Sequence, residues 1–145
     1  MNILEEVNKL FLDHPDGEQA KGFLDLYHNF AHLLDDIVDG DIGDMEGRAV
    51  GKTLYLAQSL YTHPFYTKYM YILYPTIRLV HNTYFDTVQM ENSNEEWKKL
   101  YVSVLKHCGD EVFLAIIEIL GGYDKRMQLG VSVREHTWKK QHELN

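Results

Sequence analysis

From Phe23 to Val38 the apolar residues Phe23, Leu26, Tyr27, Phe30, Leu33, Leu34, Ile37 and Val38 recur every third or fourth position. That spacing puts them on one face of a helix and does not fit the two-residue alternation of a strand. Pro15-Asp16-Gly17 precedes the run and Gly40 follows it, so a helix over Glu18–Asp39 capped by Asp16 is predicted. Helical spacing returns almost everywhere else, only three prolines interrupt the 145 residues, and no alternating run of useful length competes.

Further helices are expected over Ile3–Leu12, Arg48–Tyr61, Phe65–Met90, Glu95–Leu120 and Val131–Glu143. Pro75 should kink or break the long aromatic segment, because proline lacks the backbone donor and its ring clashes with the preceding turn. Asn92-Ser93-Asn94 can cap the helix that follows, and Gly121-Gly122 should end it. Gly40–Gly47 (GDIGDMEG) reads as a loop. The expected fold is all-α: one compact domain over residues 1–145, a bundle of five to seven helices.

Composition narrows the function classes. Hydrophobic residues make up 45% and charged residues 25%, ordinary for a globular domain with a real core. Fourteen Lys and Arg against 22 Asp and Glu give a net charge of −8, which argues against sequence-independent binding to nucleic acid. The lone Cys108 excludes a disulfide framework and multi-cysteine zinc sites. No apolar run has the length of a membrane span and no secretory signal layout opens the chain, so a reducing cytosol is the expected compartment.

Asp25, His28, His32, Asp35, Asp36 and Asp39 fall within an arc of about 100° on the Glu18–Asp39 helix. Oxygen ligands on consecutive turns suit Mg²⁺, which takes a few carboxylates plus water and a substrate phosphate. His28 and His32 add an i, i+4 pair of the kind transition metals use. The stripe also lies nearly opposite the apolar one, so a solvated helix face accounts for it equally simply.

The run Phe30-Ala31-His32-Leu33-Leu34-Asp35-Asp36-Ile37-Val38-Asp39 resembles the first aspartate-rich motif of class I isoprenoid synthases, most closely that of the squalene/phytoene synthase branch. The resemblance implies that Asp35, Asp36 and Asp39, with His32 beside them, hold Mg²⁺ ions that bridge to the diphosphate of a prenyl substrate. It also implies a second metal-binding helix. Asn82 and Asp86 resemble the opening of that second motif, whereas Glu91 lies nine residues after Asn82, on the other side of the helix. The chain is about half the usual length of this family. If the protein is active, diphosphate would leave an allylic carbon with help from the metals and from Arg48, Lys52 or Arg78. The tyrosine-rich segment (Tyr61, Tyr66, Tyr69, Tyr71, Tyr74 and Tyr84, with Phe65 and Phe85) would shield the cation; core or a dimer surface is its plainer reading.

Two other readings stay open. All-α nucleotide pyrophosphohydrolases resemble the layout of paired acidic helices, with Asp35-Asp36-x-x-Asp39 in place of their EExxE and no match to their companion ExxD. A non-catalytic helical interaction protein, including a homodimer, would leave the carboxylates facing solvent. A second acidic stripe of His107, Asp110, Glu111 and Glu118 lies beside an apolar face of Leu100, Val104, Cys108, Val112, Ala115 and Ile119. It could join a metal site or be surface. Gly47–Thr53 misses a phosphate loop because Glu46 stands where its first glycine belongs and no strand precedes it. Arg48 and Lys52 remain an i, i+4 cationic pair able to meet a diphosphate or, more plainly, Asp41 and Asp44.

Overall fold

A computed structural model describes residues 2–41 and 46–143. The secondary structure in these residues is helical throughout, without a strand: α1 (Ile3–Asp13), α2 (Gly17–Asp39), α3 (Glu46–Thr62), α4 (Pro64–Met90), α5 (Glu96–Leu105) and α6 (Asp110–Glu143). The all-α class is the one the apolar spacing predicts. The centre of the expected Gly40–Gly47 loop, with Asp44, lies outside the described residues. By contact the chain divides into two compact units, Pro15–Met70 and a second made of Met1–His14 with Tyr71–Asn145.

In the Pro15–Met70 unit, α2 packs on α3 and Phe23 is fully buried. Its ring meets those of His63, Phe65 and Tyr66 at centroid distances of 5.6, 5.8 and 6.1 Å. Ala20, Tyr27 and Phe30 continue the buried face of α2, and Leu56 and Leu60 supply that of α3. His63 caps α4, its Nδ1 accepting the Phe65 N–H at 3.2 Å. Burial pushes the His63 pKa down, which favours the neutral imidazole that this bond needs. α2 ends at Gly40, whose φ of 74° is the left-handed conformation that glycine adopts without steric cost.

Two expectations, at Asp16 and in α4, are corrected. Asp16 makes no capping bond to α2. Its Oδ2 instead accepts from Lys68 Nζ at 2.7 Å and from the Tyr69 hydroxyl. The break in α4 falls at Tyr69 (φ −114°, ψ 22°), not at Pro75, which sits within the helix. Tyr69 is held on both sides, its ring 4.9 Å from that of Phe65 and its phenol on Asp16, so the local packing sets where the helix departs from regularity.

The second unit contains α1, α5, α6 and the part of α4 from Tyr71 onward. α1 packs on α6 around Val7, Leu114, Ile117, Leu129 and Val133, with Ile3, Leu10, Phe11 and Phe113 against them. Each such side chain withdrawn from water contributes about 1.5–3 kcal/mol. The expected Glu95–Leu120 helix is in fact two. The backbone tightens through Lys106–Gly109, where His107, Cys108, Asp110 and Glu111 donate to carbonyls three residues back. Three-residue closure changes the rotation per residue, so the apolar face does not carry through. Leu100 and Val104 are consequently exposed, whereas Val112 and Ala115 are buried. α6 is itself broken at Gly122 (φ 84°, ψ 172°), where the glycine pair was expected to end a helix.

Candidate functional site

The stripe on α2 forms as a stripe. Asp25, His28, His32, Asp35, Asp36 and Asp39 are all exposed, on the side of the helix away from Phe23, Tyr27 and Phe30. Arg48 and Lys52 are exposed on α3, in the same unit. Asn82, Asp86 and Arg78 are exposed on the part of α4 that belongs to the other unit. Among the described residues no group of three or more His, Cys, Asp or Glu side chains is arranged to hold a metal ion. The aromatic segment divides: Phe65 and Tyr66 are core, while Tyr71, Tyr74 and Phe85 are exposed.

The more enclosed chemistry lies around the start of α6. Leu79, Val80 and Thr83 of α4, Val104 and Leu105 of α5, the turn residues His107 and Cys108, and Asp110, Glu111, Arg134 and Trp138 of α6 line a groove of about 430 Å³. Its lining is mainly apolar, with charge along one wall. Arg134 donates to Glu111, and Arg126 stands 3.9 Å from the same carboxylate. Thr137 donates to Asp110 at 2.9 Å. Burial pushes the Asp110 carboxyl above the usual range, with the Thr137 bond, the nearby His107 and Arg134 opposing. Burial also pushes the Cys108 thiol up, and its Sγ lies 3.7 Å from the Val80 carbonyl. Such a thiol is a poor nucleophile, in keeping with inert packing.

Three members of the second predicted stripe, His107, Asp110 and Glu111, are therefore brought together, and Glu118 is not among the groove residues. Sequence reasoning missed Arg134 and Trp138. Both lie in the polar last helix, and the signal that could have found them is the i, i+4 spacing of an arginine and an aromatic on one face.

A second groove, of about 280 Å³, adjoins the first. It is lined by Lys99, Val102, Ser103, Lys106, His107, Trp138, Gln141 and His142, so the two share His107 and Trp138. The shared wall is a cluster of rings, with Trp138 4.8 Å from His107 and 4.1 Å from His142.

Compared with known proteins, the chain matches no family model, no curated protein and no solved structure. No helix among the described residues is long and apolar enough to cross a membrane.

Proposed function

We propose that this chain is a helical interaction protein that self-associates through α5. One observation carries the reading. Trp97, Leu100, Tyr101 and Val104 stand at i, i+3, i+4 and i+7 on α5 and are 52%, 68%, 57% and 69% exposed. Four large apolar side chains in one helical row are costly to leave in water and form the kind of stripe that a partner helix covers. A second copy fits because a two-fold interface needs a self-complementary patch. Two antiparallel α5 helices would bring the acidic end of one, at Glu95 and Glu96, toward Lys106 beyond the end of the other. Sedimentation velocity at micromolar concentration tests it. The expected result is a dimer that the Leu100→Glu/Tyr101→Glu variant reduces to a folded monomer; a monomeric wild-type chain would overturn the reading.

A second reading gives α2 a ligand. Here His32, Asp35, Asp36 and Asp39 bind Mg²⁺ and, through it, a diphosphate-bearing small molecule of the prenyl or nucleotide kind. The observation in its favour is that the whole row is accessible on consecutive turns of α2. Titration calorimetry with Mg²⁺ and inorganic pyrophosphate decides it. Binding that needs Mg²⁺ and disappears in Asp35→Ala/Asp36→Ala supports the site, and absence of heat even at millimolar ligand removes it.

A further inference from the structure

The two grooves on either side of the His107–Trp138 pair differ in chemistry in a way that describes one ligand. On the Leu79 side one wall is Leu79, Val80, Val104, Leu105 and Cys108, a trough for a hydrocarbon chain, with Thr83, Asp110, Glu111 and Arg134 along the rest of the lining. On the His142 side it is Lys99, Lys106, His107 and His142, with Ser103 and Gln141 as hydrogen-bonding neighbours. The cationic side lies in a region set apart by charge from the rest of the chain. Eight of the 14 lysines and arginines fall between Lys98 and Lys140, whereas the first 46 residues hold twelve acids and two lysines.

The acids near the grooves are largely answered from within the protein. Glu111 is taken up by Arg134 and Arg126, and Asp110 accepts from Thr137. Glu91 pairs with Lys106 at 2.5 Å, which leaves Lys99 and the two imidazoles as the groups best placed to meet an incoming anion. An ammonium and two imidazoles beside an indole favour a negatively charged head, and the neighbouring apolar trough favours a tail.

From this juxtaposition we infer that the paired grooves bind an anionic amphiphile, its phosphate or carboxylate head among Lys99, His107 and His142 and its hydrocarbon chain along Leu79, Val104 and Leu105. Trp138 stands between head and tail and reports on both. The inference does not require Mg²⁺ on α2 or self-association through α5, and because Val104 belongs both to the trough and to the α5 row, a second copy on α5 would compete with the hydrocarbon chain.

The chain has two tryptophans, so Trp97→Phe leaves Trp138 as the sole indole fluorophore. In that background, with EDTA present and below the micellar range, dodecyl phosphate and dodecanoate are titrated separately while Trp138 emission is followed. Saturable binding of at least one is expected, with inorganic phosphate and a neutral dodecyl glycoside each about tenfold weaker or more, the size of one lost charge-assisted or burial contribution. Lys99→Glu should weaken binding at least as much, and Leu79→Gln should weaken the dodecyl compounds without altering inorganic phosphate. Circular dichroism on each variant verifies that the fold persists. Repeating the titration in Leu100→Glu protein separates ligand binding from dimer formation.

Binding of dodecyl phosphate alone would identify a phosphate head, and equal binding of both a general anion site. No Trp138 response to either amphiphile would overturn the inference. So would a response that both variants leave intact, or one that inorganic phosphate or the neutral glycoside matches.

Discussion

Some carboxylates in this protein are displayed and others are held. On α2, Asp25 and Asp36 are exposed along one face. Asp16, Asp110 and Glu111 instead lie against partners from distant stretches of chain: Asp16 against Lys68 and Tyr69, Asp110 against Thr137, and Glu111 against Arg134. All belong to amphipathic helices or their ends. What separates the two sets is the element standing opposite, which a helix's own periodicity does not specify. An acidic stripe therefore identifies a helix and its orientation, and a function only once the facing element is known.

The largest effect expected from this contrast is at Asp16. Its carboxylate is mostly covered and holds the Tyr69 phenol at the irregular point of α4. Asp16→Ala leaves that part-buried hydroxyl without its acceptor and should cost about 1–3 kcal/mol, read as a lower urea midpoint with an unchanged slope. A loss no larger than that of an α2 stripe residue would erase the distinction.

A smaller effect, opposite in sign at neutral pH, is expected at Asp110. Its folded-state pKa is raised, so the folded protein holds this proton more tightly than the unfolded chain does. The group's favourable contribution is complete below the unfolded carboxylate pKa, about 3.9, and is lost as pH rises through the folded value. Asp110→Asn keeps an acceptor for Thr137 and removes the charge. The variant should be more stable than the wild-type chain at neutral pH and should show a flatter stability profile on the acid side, measured by thermal unfolding across the acidic to neutral range.

The smallest effect belongs to the displayed set. Asp36→Asn should change stability by no more than about 0.5 kcal/mol, as exposed positions do, when measured by the same urea titration. A larger loss would mean that Asp36 is held as well.

How far the chain could be read from its sequence follows the same division. α2 was legible almost to the residue, because eight apolar positions repeat in phase and glycine stands at both ends. The acidic row on that helix was legible for the same reason. The junction of α5 and α6 was not. Leu100, Val104, Cys108 and Val112 keep a helical spacing through it, yet the tightened turn at Lys106–Gly109 sends the first two to solvent and the last to the core. Nor could the partners of Asp16 be read locally, since Lys68 and Tyr69 lie 52 and 53 residues away. The paired grooves depend on Arg134 and Trp138 returning against the start of α6, a tertiary event that leaves no short-range mark.

Gly122 carries a consequence for how this sequence can vary. Its φ of 84° with ψ near 172° is a backbone state that a side chain makes costly, so the interruption of α6 depends on a residue with no Cβ. In a saturation library selected for folded protein, position 122 should retain glycine almost alone, while the solvent face of α2 drifts freely. A strongly constrained letter of the chain would then be one that bears no chemistry at all.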